Sequence, residues 1–266
     1  SEFGVMLLMV NAGLETDARQ LLQNFKASNL VALMGVVAPL AVFPVVALLF
    51  GYEWQIALFW GVVFAATSIS ITISVLGEQG KLGTVLGAVV LGAAVLDDIL
   101  ALLLVTAYAA FIGGSGLGLN TVMPIIAFAI GVLLRQLPKS DKLLHTTELF
   151  GEWTVFPIFF GSIGLNVVFN NLAETWWIMI LLTALAVATK YYGAGFGARM
   201  ARLDKYTSNA IGAGMVSRGE MALVIAQIGA TGHILSNQVF GEMVIVIIAS
   251  TIIAPLMMRP LIAKVK

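Results

Sequence analysis

Apolar residues fall into long blocks at about 3–14, 29–50, 55–76, 84–112, 119–135, 153–172, 176–199, 207–230 and 238–263, separated by short polar stretches. A block of roughly 17–25 apolar residues is long enough to cross a bilayer as a helix. The pattern therefore predicts an all-α chain of about nine helices, eight of them crossing. The block at 3–14 is too short to cross alone and reads as the tail of a helix whose start is absent. Two blocks are interrupted at mid-depth by small and polar residues. One carries Ala65-Ala66-Thr67-Ser68-Ile69-Ser70-Ile71-Thr72 and the other Gly212-Ala213-Gly214-Met215-Val216-Ser217-Arg218-Gly219-Glu220. Unwound backbone in a membrane is tolerated only where protein or a water cavity surrounds it. A pair of interrupted helices, one in each half of a chain, points to a transport site built on inverted repeats. Ordinary packing of small hydroxyl residues would also account for Thr67 and Ser68. Pro157, with Gly161, Gly164 and Asn166, predicts a kinked or loosened 153–172 helix with a structural role.

Composition supports the membrane reading. The chain is 60% apolar and 11% charged, with mean hydropathy +1.00, whereas soluble domains are roughly 25% charged. A polytopic membrane protein follows, with the lipid bilayer as its surroundings and no room for a sizeable soluble domain. The net charge is zero and there is no cysteine, which argues against a nucleic-acid partner and excludes disulfides or thiolate-bound metals. The opening Ser1-Glu2-Phe3-Gly4 has no signal-like character. Basic residues alternate between loops. Arg19 and Lys26, then Lys81, then Arg135, Lys139 and Lys142, then Arg199, Arg202 and Lys205, then Arg259, Lys264 and Lys266 occupy every second connection or the tail. The stretches at 51–54, 113–118, 173–175 and 231–237 have none. By the positive-inside rule the carboxyl terminus is cytoplasmic, as expected in a prokaryotic inner membrane. Trp176 and Trp177, at a helix start, suit an interfacial belt.

Asp97, Asp98, Lys190, Arg218 and Glu220 are left inside apolar blocks. Each charge at the centre of a membrane helix costs on the order of 2.5–3.5 kcal/mol on insertion scales, so opposite signs are expected to meet inside the bundle. Neighbours on a helix point about 100° apart. One of Asp97 and Asp98 can thus line a cavity while the other pairs with an adjacent helix. Lys190 lies about nine residues from the basic loop, or roughly 13 Å of helix, which is long for a snorkel and favours an internal acid partner. A small hard cation takes oxygen ligands, and Asp98, Asp97 and the Thr67–Ser68 break can offer them. A carboxylate stripped of part of its water holds a proton more readily. One site could therefore bind cation or proton in turn. Arg218 and Glu220 do not face each other on a regular helix, but at an unwound break both could turn inward, as a structural ion pair or to attract ions. His145 and His233 sit in loops and are expected to be solvated. Glu242, one turn into the last helix, is expected to reach water. An aspartyl protease would need its two acids on separate helices, and a purely structural scaffold has no use for five buried charges.

The run Ala66-Thr67-Ser68-Ile-Ser-Ile-Thr-Ile-Ser-Val-Leu-Gly-Glu78, followed by Leu91-Gly-Ala-Ala-Val-Leu-Asp97-Asp98, resembles the monovalent cation:proton antiporters, and among them the NapA-type sodium/proton branch. Val10-Asn-Ala-Gly-Leu-Glu15, Phe156-Pro-Ile-Phe-Phe-Gly-Ser-Ile-Gly-Leu165, Lys190-Tyr-Tyr-Gly-Ala-Gly-Phe-Gly-Ala-Arg199 and Gly214-Met-Val-Ser-Arg-Gly-Glu220 agree with it. The resemblance covers nearly the whole chain. It implies two crossing discontinuous helices in a core formed by about 29–112 and 176–263, with the remaining helices as a partner, dimerisation domain and a homodimer as the assembly. It implies that Asp98 carries the cation and the proton, that Asp97 pairs with Lys190, and that Thr67 and Ser68 lie at the first crossing and Glu220 ends the second. The paired-Asp form resembles the electrogenic members. The family's pattern also places one or two helices before Val10 and about two more before Ala127-Phe-Ala-Ile-Gly-Val-Leu-Leu134, so helices are expected to be missing before residue 1 and near 118–119.

The resulting expectation is a secondary transporter that exchanges sodium or lithium for protons by alternating access, with no cofactor. A potassium/proton antiporter of the same fold and a sodium-coupled organic-anion symporter are the alternatives.

Overall fold

A computed structural model describes residues 2–15, 24–112, 119–138, 140–167 and 172–265, and among these the regular structure is all helical, without strands. The helices are α1 (Glu2–Glu15), α2 (Phe25–Leu49), α3 (Trp54–Ala65), α4 (Ser70–Glu78), α5 (Val85–Phe111), α6 (Leu119–Arg135), α7 (Ser140–Phe150), α8 (Phe156–Asn166), α9 (Leu172–Met200), α10 (Lys205–Gly214), α11 (Glu220–Thr231) and α12 (Asn237–Ile262), with a π turn at Gly151–Val155. Arg19, Lys139, Lys266 and the 113–118 connection lie outside the described residues. Polar side chains start several helices by accepting from backbone amides left over in the first turn. Thr84 accepts from Gly87 and Ser236 from Val239. Asp204 accepts from both Tyr206, at 2.9 Å, and Thr207, at 3.0 Å.

Both expected interruptions are present. After α3 the backbone at Ala66 is extended (φ −68°, ψ 146°) and helix resumes at Ser70. After α10 the chain unwinds through Met215–Gly219, where Gly219 (φ −126°, ψ −130°) precedes α11. Each interrupted helix is thus two short half-helices joined at membrane depth, and the fold is an all-α membrane bundle with two discontinuous helices.

Three details depart from the sequence reading. The 135–152 linker is not a loop, because α7 fills most of it and continues through the π turn into α8. Pro157 has no N–H to give the preceding turn. The wider π register comes just before it, with the Phe156 amide bonding to Gly151. Pro157 thus stands in the first turn of α8, directly after a local loosening of one continuous helical path, as its residue type led us to expect. Residues 173–175, expected as a loop, are inside α9. Finally, among the described residues five segments are long and apolar enough to cross a bilayer by themselves, at 25–49, 54–78, 85–111, 175–200 and 237–262, and the apolar helices at 3–15, 123–135 and 220–231 are shorter. Hydropathy counts apolar residues but does not see where a helix ends, which is why eight crossings are expected from the pattern alone.

The helices pack in two groups. In the first, α9 lies along α2 and α10, α2 also packs on α3 and α5, and α12 covers α4, α9, α10 and α11. In the second, α1 lies along α6, with α7, the π turn and α8 against α1. Association of helices in lipid draws on close van der Waals contact, so small residues mark the tightest crossings. At the α1–α6 crossing a Cβ on Gly13 would come within 2.2 Å of the Phe128 carbonyl oxygen, and one on Gly131 within 2.2 Å of that of Val10. Only glycine lets these backbones approach so closely. In the first group Phe43 stacks on Phe64 at 4.1 Å between ring centres, and Tyr108 meets the edge of Phe59 and donates its hydroxyl to the Gln55 carbonyl. At one end of the bundle Lys81 donates to the Val265 carbonyl at 2.9 Å and Arg259 pairs with Glu78 at 3.0 Å. The connection after α4 and the carboxyl-terminal tail therefore share one end.

The Asp204 cap is accessible to a pH test. Hydrogen bonds from Thr207, and then from Tyr206, hold its carboxyl below the ordinary value of 3.8. A depressed acid stabilises the folded chain above its unfolded value and loses that contribution as the pH falls through the folded one. Asp204→Ala is expected to remove a cap worth about 0.5–2 kcal/mol near neutral pH. The difference in melting temperature between parent and variant should close as the pH drops below 3.8.

Candidate ion-binding site

The two interruptions cross and bind each other directly. Ser68 donates its amide to the Ser217 carbonyl at 2.9 Å, and the Ser217 hydroxyl donates back to the Ser68 carbonyl at 2.5 Å. The Thr72 hydroxyl donates to the Gly214 carbonyl at 2.6 Å, meeting a carbonyl left open where α10 stops. A Cβ on Gly219 would fall 2.5 Å from Ser68 Oγ, so this glycine allows the close pass.

Four half-helix ends meet here, and each carries a partial charge, positive at an amino end and negative at a carboxyl end. Arg218 and Glu220 answer these two signs separately. Arg218 is fully buried. It donates through Nη2 (3.0 Å) and Nε (3.3 Å) to the Phe64 carbonyl in the last turn of α3, and through Nη1 to the Ala186 carbonyl of α9 at 2.9 Å. Thr251 in turn donates its hydroxyl to the Arg218 carbonyl. Glu220 is the first residue of α11 and accepts from Ser68 Oγ at 3.1 Å and from Ser70 Oγ, at the start of α4, at 3.4 Å. Glu220 therefore stands at two positive helix ends and Arg218 at a negative one. They do not pair with each other, because residues two apart project in different directions even through this break.

The two aspartates of α5 separate as the 100° step requires. Asp97 is fully buried, and Lys190 Nζ reaches both of its oxygens at 3.0 Å. Lys190 is itself fully buried on α9, so it does not snorkel. Asp98 turns the other way and lines a cavity of about 680 Å³ between the two helix groups. Thr67, Ser70 and Glu220 from the crossing share that cavity, as do Asn11 and Glu15 from α1, Arg135 from α6, Glu148 of α7 and Glu152 of the π turn. Glu15, Ser70 and Glu152 are exposed at its rim. Arg135 is engaged by Asp141 at 2.5 Å, leaving the wall dominated by carboxylates. Partial burial, followed by neighbouring Glu152, holds the Glu148 carboxyl above its ordinary range.

Of the expected site residues, Asp98, Thr67 and Glu220 line the cavity directly. Ser68 is buried behind them on the Glu220 carboxylate, Asp97 and Lys190 form an ion pair beneath, and Arg218 faces away into backbone carbonyls. His145 and His233 are exposed. Glu242 does not reach water as expected. It is 3% exposed and accepts from Gln238 at 3.2 Å, because packing against neighbouring elements covers this first turn of α12. Sequence reasoning passed over the other cavity acids. Glu148 and Glu152 stand one helical turn apart, and that spacing would have shown them on one face had the linker been read as helix. Among the described residues no group of three or more acidic, histidine or cysteine side chains is arranged to hold a resident metal ion.

An all-α membrane bundle with two crossed half-helix pairs and intramembrane carboxylates, Asp98 and Glu220, lining a cavity defines a membrane transporter. The transmembrane sodium/hydrogen exchanger family matches residues 1–129 and 119–264, and the chain belongs to that family. It is 34% identical to a Na(+)/H(+)-K(+) antiporter, GerN, of Bacillus cereus over 97% of this chain and 81% of that protein. Similarity to a probable Na(+)/H(+) antiporter, GerT, of the same organism is 33% identity over 92% of this chain and 80% of the relative. A Na(+)/H(+) antiporter of Enterococcus hirae is 30% identical over 100% of this chain and 85% of its own length.

A double-mutant cycle measures what the buried pair contributes. Removing one partner strands a charge and typically costs roughly 3–5 kcal/mol, so Asp97→Asn and Lys190→Ala are each expected to lower the melting temperature in detergent. The double variant should lose less than the sum of the two, with the coupling visible as non-additivity.

Proposed function

We propose that this chain exchanges sodium, with lithium as a second substrate, for protons across the membrane. Asp98 is the carboxylate that binds cation and proton alternately. The observation that carries this reading is the division of labour on α5: Asp97 is neutralised by Lys190, while Asp98 faces a cavity walled by Glu15, Glu148, Glu152 and Glu220. Clefts lined by one sign of charge concentrate counter-ions. This one would draw cations toward Asp98 and Thr67 and repel an organic anion, which disfavours the symporter reading. The sodium and proton named for the Bacillus and Enterococcus relatives support the same cargo.

Potassium is the second reading, because the name of the GerN relative includes potassium as well as sodium. A carboxylate with hydroxyl and carbonyl oxygens binds either ion, and the difference lies in cavity size and ligand rigidity.

The exchange works by alternating access. The group carrying Asp98, α2–α5 with α9–α12, moves against α1 and α6–α8, opening the carboxylate to one face and then the other. The cavity between the two groups supports this division. The basic end of the bundle, with Lys81, Arg259 and the tail, faces the cytoplasm, as the positive-inside rule favours. Homodimerisation is proposed from the resemblance. The 328 positions aligned with the Enterococcus hirae relative exceed the 266 residues of this chain. That excess supports further helices in that relative with no counterpart here, each needing about 20 residues.

In proteoliposomes with an imposed proton gradient, sodium is expected to dissipate the gradient and potassium to do so weakly, and Asp98→Asn should reduce the signal to the protein-free background. Retained exchange in Asp98→Asn would remove the central assignment, and dissipation by potassium alone would select the second reading. The exchange is proposed to be electrogenic. Lys190→Ala is accordingly expected to shift the pH profile or to change the charge moved per cycle, read with a potential-sensitive dye at clamped potassium.

A further inference from the structure

The cavity has one wall from the group that holds Asp98 and another from α1. On the α1 wall Asn11 is 4% exposed, and neither its Oδ1 nor its Nδ2 has a hydrogen-bond partner. On the other wall, Thr67 is 3% exposed with its hydroxyl also unpartnered. Both side chains line the same cavity as Asp98. Trp60 Nε1 and Gln227 Oε1, also buried and unpartnered, do not line it. A buried amide without a partner carries a cost that an apolar residue would avoid, and the turn around it, Leu7-Leu8-Met9-Val10, is otherwise apolar. An amide oxygen, a hydroxyl and a carboxylate lining one cavity are a suitable donor set for a small hard cation.

We propose that Asn11 is a ligand of the transported cation, donated across the cavity from α1, and that together with Thr67 it completes the oxygen shell around the ion at Asp98. The proposal deepens the reading of Asp98 as the cation-carrying carboxylate and rests on it. It adds a sidedness that Asp98 alone does not have. Asn11 belongs to the helix group that lacks Asp98, so it meets the ion only when Asp98 faces this cavity. When Asp98 faces the other side of the membrane, the ion loses that ligand. Asn11 therefore sets the affinity on the cavity face, where Glu15, Ser70 and Glu152 lie at the rim, and leaves the opposite face's affinity unchanged.

The test is side-resolved exchange in inverted and right-side-out membrane vesicles that carry the chain. Asn11→Ala should raise the apparent KM for sodium about tenfold from the cavity face, the loss of one ion ligand. The KM from the opposite face should be retained while the maximal rate from that face falls by the same factor, so that Vmax/KM stays equal in the two directions at equal pH. Asn11→Asp, which keeps an oxygen donor, should hold the cavity-face KM near the parent value. A KM unchanged on both faces, or raised equally on both, overturns the proposal, since a merely structural role would not choose a face. Where Asn11→Ala does not fold, Asn11→Ser is judged by the same ratio of the two faces. If the unaltered chain shows no cation-dependent exchange, the transport reading itself fails. The ligand role is then decided by the rise in melting temperature of detergent-purified protein in sodium chloride over choline chloride. A rise in the parent that is lost in Asn11→Ala supports it. An equal rise in both, or none in the parent with sodium, lithium or potassium, overturns it.

Discussion

Stopping a helix inside a membrane leaves amides and carbonyls that no lipid can satisfy, and this protein does so four times in one small region. That constraint organises the rest of the structure. Ser68 and Ser217 bond each other in both directions across the crossing, Thr72 takes a carbonyl at the end of α10, and Arg218 takes one at the end of α3. Glu220 answers the two positive ends through Ser68 and Ser70. Apart from the Thr67 hydroxyl, which stays unpartnered, the unusual residues of both interruptions thus close a hydrogen-bond account. Only with that account closed are the remaining oxygens around Asp98 free to face an ion.

Charge is handled by the same separation of tasks. Five ionisable side chains sit within the apolar blocks, yet one ordinary ion pair, Lys190 with Asp97, is formed among them. Arg218 is balanced by carbonyl dipoles, and Glu220 by hydroxyls at helix starts. The other acids of the wall, Glu15, Glu148 and Glu152, are gathered with Asp98 along the cavity, beside Arg135.

Much of this was legible in the chain. Both interruptions and the opposed directions of Asp97 and Asp98 follow from residue type and helical geometry, and the distance of Lys190 from water pointed to its acid partner. What stayed hidden depends on contacts that no local pattern encodes. Arg218 and Glu220 looked like possible partners because sequence shows their signs but not the helix ends that meet them. Glu242 looked solvated because its position one turn into α12 says nothing of what packs over it. The 135–152 stretch looked like a loop because its polar residues broke the hydropathy block, although their spacing along α7 suits a helix with one wet face. Asn11 stood only as part of the Val10–Glu15 stretch, with no role of its own, because a single polar residue in an apolar block has no meaning until its surroundings are known.

The pairing of Asp97 with Lys190 bears on how an exchanger avoids slippage. In the exchange proposed above, and while that pair holds, Asp98 is −1 when empty and is neutralised by either a cation or a proton. The further charge of an electrogenic cycle would then come from the pair itself, through loss of the Lys190 proton when the site loads. Dragging the empty form through hydrocarbon would expose one naked charge, at roughly 2.5–3.5 kcal/mol on insertion scales. Such a penalty slows the idle return stroke about a hundredfold. Obligatory swapping of one ion for the other would then need no separate latch, since the bilayer itself discourages the unladen trip.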